Sequence, residues 1–141
     1  MAETNTATVE FELVSPAKLL VSEPVEMVVV PGAEGDIGVL PGHSPLIATV
    51  RPGVIDIHEG GKVREQIFVG GGFAEVSPER CTVLAEEATP VADIDRGAAE
   101  TRLAEAQETA AAADEAGAGE AARQVAIAEG MVAAAGQAAG D

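Results

Sequence analysis

Four side chains are of a type that serves nucleophilic or acid–base chemistry: Cys81, His43, His58 and Ser44. A thiol or hydroxyl reacts only with a base beside it and some exposure to substrate. Cys81 falls on the same face of its run as Val83 and Ala85, the pattern of a buried structural thiol. The two histidines have no metal-ligand spacing. Carboxylates are scattered over polar positions, which reads as solvated surface rather than a paired general acid and base. Two glycine patterns invite a phosphate-binding reading. Gly117-Ala118-Gly119-Glu120-Ala121-Ala122 has the loose dinucleotide spacing, but helical sequence precedes it where a strand is required. Gly61-Lys62 lacks the following hydroxyl residue, and Asp56 stands where the first glycine of a phosphate loop belongs. Both read as turns. The expectation is a chain with no catalytic, cofactor-binding or metal-binding residue.

The elements that carry these residues are bounded by composition. A chain of 141 residues suits one domain, or a small core with an appendage. With 24 acidic against 8 basic side chains the net charge is −16, the wrong sign for gripping nucleic acid or an anionic membrane face. Apolar residues make up 47% of the chain, enough for a folded core despite the charge. A lone cysteine forms no intramolecular disulfide, so a reducing compartment is allowed. Met1 to Glu10 has the character of neither a signal nor a transit peptide. No apolar run approaches the roughly 18 to 20 residues of a spanning helix, so no direct membrane insertion is expected.

From Thr8 to Val14 the alternation is strict, with Val9, Phe11 and Leu13 on one face and Thr8, Glu10 and Glu12 on the other, the period of a half-buried strand. Strand-like runs follow at Lys18–Val21, Val25–Val30, Ile37–Leu40, Leu46–Val50, Val54–His58, Val63–Val69, Phe73–Val76 and Cys81–Ala85. Pro31-Gly32, Pro41-Gly42, Pro52-Gly53, Gly60-Gly61 and Ser77-Pro78 suit tight reversals between them. Short strands so punctuated predict an antiparallel sandwich or barrel. After Pro90 the composition turns to Ala, Glu, Gln and Arg, which favours helix. Asp93 or Asp95 can cap its start, glycines at 117 and 119 should interrupt it, and a second helix follows from about Glu120 to Ala135. The resulting fold class is β + α: an N-terminal antiparallel β-sandwich over residues 1–88 and a C-terminal two-helix hairpin over 89–141. From Asp93 onward Ile94, Leu103, Val125, Ile127, Met131 and Val132 are the only large apolar side chains, so weak docking is expected.

One segment stands apart. Pro31-Gly32-Ala33-Glu34-Gly35-Asp36-Ile37-Gly38-Val39-Leu40-Pro41-Gly42-His43-Ser44-Pro45-Leu46, followed by Arg51-Pro52-Gly53, strongly resembles the signature of the F-type ATP synthase epsilon subunit. Phe68-Val69-Gly70-Gly71-Gly72-Phe73-Ala74-Glu75-Val76 and Thr82-Val83-Leu84-Ala85 match that family as well. The resemblance implies a sandwich of about ten strands with a C-terminal helical hairpin, in agreement with the periods. It also implies a non-catalytic central-stalk rotor subunit of the proton-translocating enzyme. Such a subunit is held by gamma, rests on the c-ring, and reaches alpha and beta through the hairpin. The implied location is peripheral, on the cytoplasmic side of a bacterial inner membrane. By the same analogy Glu34, Gly35, Asp36, Gly42, His43 and Ser44 form the ring- and stalk-facing protein interface.

Two other readings stand beside it. Some relatives of that family sense ATP through an Ile-Asp-x-x-Arg-Ala motif at the hairpin start. Here the string is Ile94-Asp95-Arg96-Gly97-Ala98-Ala99, with Ala98 in the arginine's place. Arg96 lies two places early, roughly 200° around the helix. An unrelated acidic assembly adaptor is the third reading, and it gives no reason for the Pro-Gly-His segment.

Overall fold

The computed structural model describes residues 7–139. Eight strands, β1 (Val9–Val14), β2 (Leu19–Val25), β3 (Met27–Gly32), β4 (Gly35–Val39), β5 (Leu46–Glu59), β6 (Lys62–Val76), β7 (Arg80–Ala85) and β8 (Ala88–Pro90), precede a 3-10 turn at Val91–Asp93. Helices α1 (Arg96–Ala112) and α2 (Ala118–Ala139) follow. The strands form one hydrogen-bonded sheet in the order β2-β1-β7-β6-β5-β3-β4, with β8 paired to β6. It folds over on itself as a sandwich followed by two helices. Val9, Phe11 and Leu13 are fully buried, as their alternation requires, and meet Val28, Val69 and Val83 inside. Among the described residues no polar or charged side chain is buried, so the inner faces have no polar group to desolvate.

Several turn expectations are corrected. Pro52-Gly53 is not a reversal: β5 runs through it, with Pro52 opposite Gly70 and Gly53 opposite Val69. β6 likewise runs through Gly70-Gly71-Gly72, so two pairs of the short runs are two long strands, and β8, which no run marked, brings the count among the described residues to eight rather than about ten. Glycine at φ 100° and 145°, residues 71 and 72, lets β6 bend from one layer into the other without breaking its pairing to β5. Pro31-Gly32 closes β3, and the reversal itself is Ala33-Glu34. The run Val25–Val30 is divided at Glu26, where β2 ends and β3 begins. Gly60 and Gly61, at φ 63° and 77°, do form the expected tight turn. All pairings are antiparallel except β1 with β7, which is parallel.

Asp95 is the residue that caps α1, its carboxylate accepting from the Ala98 amide at 3.1 Å. The interhelical link is Ala113–Gly117, so Gly119 lies within the first turn of α2, and α2 extends past Ala135 to Ala139. The division at residues 88 and 89 falls inside β8, whose Thr89 and Pro90 still pair with β6. The hairpin is seated through α2. Ile127 and Ala134 are buried with Phe68 of β6 and Val91, and Val54, Ile94 and Met131 close round them. Gly130 permits this approach, since a Cβ there would lie 3.1 Å from the Phe68 ring and 3.3 Å from Pro52. α1 lies outside α2, with Ala99 its one buried residue.

Two ion pairs anchor the hairpin to the link between β7 and β8. Arg102 of α1 clasps Glu87 with both terminal nitrogens, at 2.8 and 2.9 Å, and Arg123 of α2 reaches Glu86 at 2.5 Å. Hydrogen bonds from Arg102 hold the Glu87 carboxyl below its usual range, outweighing partial burial, which pushes the other way. A depressed carboxylate stabilises the attachment at and above its ordinary pKa, and that contribution is lost as acid carries the pH through the lowered value. Acidification below pH ~4 is therefore expected to loosen the hairpin before the sandwich. Arg102→Met should mimic this at neutral pH, at a cost of about 1 kcal/mol given that both side chains remain partly exposed. Amide exchange in α2 against pH measures it, and equal protection in the variant and the wild type would refute the anchor.

Candidate protein interface

The expected interface residues lie along the sheet's edge strand. β4 ends the strand order, with Glu34 and Gly35 at its start and Gly42, His43 and Ser44 beyond its far end. The six residues fall into two groups along this edge, Glu34, Gly35 and Asp36 at one end and Gly42, His43 and Ser44 at the other, with Ile37 to Pro41 between them. At the first end Ala33-Glu34 makes the turn, and Gly35, at φ 139°, takes a conformation that side chains rarely adopt. Glu34 is exposed. Asp36 is engaged within the chain, because Arg51 Nη2 donates to its Oδ1 at 2.8 Å. At the second end the Pro41-Gly42 turn is tied to the β6–β7 link, the Gly42 amide donating to the Pro78 carbonyl at 2.8 Å. His43 Nδ1 donates to the Ser44 carbonyl at 2.7 Å, which turns the ring back on its own loop.

The side chains excluded from chemistry also find their places. Cys81 is buried, and burial pushes its thiol up to about 12, so it is inert as a nucleophile at neutral pH. His58 lies on β5 opposite Val63, away from His43 and Ser44. Among the described residues no cluster of His, Cys, Asp and Glu has the arrangement of a metal site. No described helix is long and apolar enough to cross a membrane.

The sequence reading missed a second surface. Phe73, Leu84 and Ile47 are 57%, 54% and 75% exposed, on the outer face of the same sheet. Val14, Leu84, Phe73 and Thr49 stand opposite one another across β1, β7, β6 and β5, and the next outward row is Glu12, Thr82, Glu75 and Ile47. A cleft of about 450 Å³ beside Phe73 and Leu84 is closed by Val14 and Pro16. Ile47 also borders a groove of about 550 Å³ that contains Glu34 and Asp36, so the apolar row and one end of the edge strand are continuous. The signal was available in the alternation: Ala74 and Val76 point inward, so Phe73 and Glu75 point out.

Residues 8–91 match the family described as ATP synthase, Delta/Epsilon chain, beta-sandwich domain. The chain is 57% identical over 128 residues to the ATP synthase epsilon chain of Rhodospirillum rubrum, covering 90% of this chain and 96% of that one. This chain belongs to the epsilon-subunit family of the F-type ATP synthase. The epsilon chain of Paramagnetospirillum magneticum is 66% identical over 100 residues, 71% of this chain and 75% of the relative. Among solved structures, a chain of the Euglena gracilis mitochondrial ATP synthase, in an assembly of OSCP, F1 and c-ring, superposes with a TM-score of 0.76 at 29% identity. The match covers 94% of this chain and 85% of that one. A chain of the Tetrahymena thermophila mitochondrial ATP synthase central stalk and c-ring shares the fold, with TM-score 0.65, 14% identity and coverage of 94% and 99%. As a member of the epsilon family the chain is a subunit of an ATP synthase complex, which removes the unrelated adaptor from consideration.

Proposed function

We propose that this epsilon chain is a non-catalytic rotor subunit that transmits c-ring rotation to gamma, with chemistry left to alpha and beta. The observation that carries this is the exposed apolar pair Phe73 and Leu84, flanked by the partly buried Val14 and continuous through Ile47 with the edge strand that bears the Glu34 turn. Apolar side chains of this size on an outer sheet face are the anchors of a protein interface, so gamma is assigned to this face. The polar turn at Glu34 is assigned to the c-ring, where charge sets orientation more than affinity. A close-packed sandwich suits torque transmission because its core resists shear. The location that follows is peripheral, on the cytoplasmic face of a bacterial inner membrane. The sheet, β8 included, is assigned to the rotor contacts, and the helices from Arg96 onward form a hairpin directed toward alpha and beta. Tagged chain purified from detergent-solubilised membranes is expected to retain gamma and the c-ring. Recovery without them contradicts the proposal.

Regulation by the hairpin is expected to be slight. From Asp93 onward Arg96, Arg102 and Arg123 face ten acids, a balance of −7 that repels both a triphosphate and an acidic partner. Two of those arginines hold Glu87 and Glu86, and Arg96 lies 3.5 Å from Glu100. The Asp95 side chain is occupied as the cap of α1, and Ala98 offers no phosphate contact. ATP sensing is thus the weaker reading. Ending the chain at Asp93, which keeps β8, should raise hydrolysis by the intact enzyme less than about twofold, a fraction of a kcal/mol. Calorimetry should find no ATP binding tighter than about 1 mM. A large activation, or micromolar binding, would refute this expectation.

A further inference from the structure

β3 and β5 pair at Val29 with Asp56 and again at Gly32 with Val50, so Val30 and Pro31 stand against the five residues Arg51 to Ile55. Proline at 31 and 52 brings no N–H to close that gap. Pro31 fills part of it, packing where Gly53 has no side chain, with an added Cβ only 2.9 Å away. The rest is spanned by one guanidinium: Arg51 Nη1 donates to the Gly32 carbonyl at 2.5 Å, and Nη2 to Asp36 Oδ1 at 2.8 Å.

We propose that Arg51 is the positioning residue of the Glu34 turn, bridging the strand that enters it to the strand that leaves it, and that Asp36 acts inside the fold as Arg51's partner rather than toward another subunit. The planar fork serves both acceptors at once, which a lysine, as a single point charge, does not. With Arg51 and Asp36 side chains 44% and 62% exposed, the ion pair contributes little to global stability. Its effect is local. Without it the turn keeps the tie from the Ala33 amide to the Thr49 carbonyl at 2.8 Å. Among the described residues Glu34 has no ion-pair partner, which leaves it as the carboxylate this turn presents.

The partner half of the inference rests on the edge being a subunit contact, and the positioning half does not. In the isolated full-length chain, Arg51→Gln and Asp36→Ala are each expected to speed exchange of the Ala33 amide about tenfold. The double variant should go no further than Arg51→Gln, because the two act as one unit. Arg51→Lys should fall between, and Glu34→Gln should leave exchange unchanged. The midpoint of thermal unfolding should stay within about 2 °C of wild type throughout. Unchanged exchange in Arg51→Gln, or a large drop in its midpoint, overturns the positioning role. Binding of the same proteins to purified c-ring in detergent tests the rest. Glu34→Gln and Arg51→Gln should both weaken it. Faster exchange with undiminished binding in every variant would keep the brace and remove the ring from this edge.

Discussion

Replacing Phe73 and Leu84 together by aspartate is expected to abolish binding of the chain to a core of alpha, beta and gamma while the sandwich stays folded. The two residues face each other across β6 and β7 on the outer side of the sheet, each more than half exposed. Little of their area is buried by folding, so little core packing is lost with them. The cost to the fold is set by the poor strand propensity of aspartate, about 1 kcal/mol per site at most. At an interface the same groups would be fully desolvated, and truncating one such anchor commonly costs 2 kcal/mol or more. Two new carboxylates beside Glu75 and Glu86 would add a charge that apolar contact cannot compensate. The expected loss is at least about 100-fold in affinity, roughly 2.7 kcal/mol, with strand circular dichroism retained. Phe73→Ala alone should give an intermediate loss. Undiminished binding of the double variant would remove gamma from this face.

Gly72→Ala is expected to do the opposite, damaging the fold itself. At φ 145° the backbone conformation of residue 72 disfavours any side chain, and a Cβ there would lie 2.0 Å from the Leu84 carbonyl oxygen and 3.0 Å from Ala85 Cα. Both are main-chain atoms of β7, so no rotamer change relieves the overlap. Either β6 and β7 separate at the bend, or the turn of β6 between layers is lost. A cost of about 3 kcal/mol or more is expected, which lowers the unfolding midpoint by about 15 °C in a domain of this size. Gly38→Ala is the control, since nothing lies within 4 Å of its would-be Cβ, and it should change stability by less than about 0.5 kcal/mol. Equal stability of the two variants would show that the β6 bend is not the constraint described.

How much of this was legible in the sequence depends on whether the cause was local. The alternation of Val9, Phe11 and Leu13 and the Gly60-Gly61 turn are settled by neighbouring residues and appear where their patterns place them, whereas the cap, left open between Asp93 and Asp95, is Asp95. Pro52-Gly53 and Gly70 to Gly72 have the same local chemistry as turns. They are carried through as strand because β5 and β6 pair with each other along their whole length, a tertiary fact. The parallel pairing of β1 with β7 is likewise beyond local reading, because it joins residues about 70 apart in sequence. The Glu34 turn could be singled out, but its two carboxylates could not be told apart. Only the distance from Arg51 to Asp36 separates the one engaged inside the fold from the one exposed. The seat of the hairpin was not legible either, because the approach of Gly130 to Phe68 and Pro52 joins residues far apart in sequence.

ATP-driven proton pumping in bacterial membranes stripped of their native epsilon chain reports whether this chain couples the ring to the shaft through the Phe73 and Leu84 face. Adding the wild-type chain should restore acidification, and adding the Phe73→Asp, Leu84→Asp variant should not, although the variant is folded. Full restoration by the variant, or none by the wild type, would show that coupling does not pass through this face.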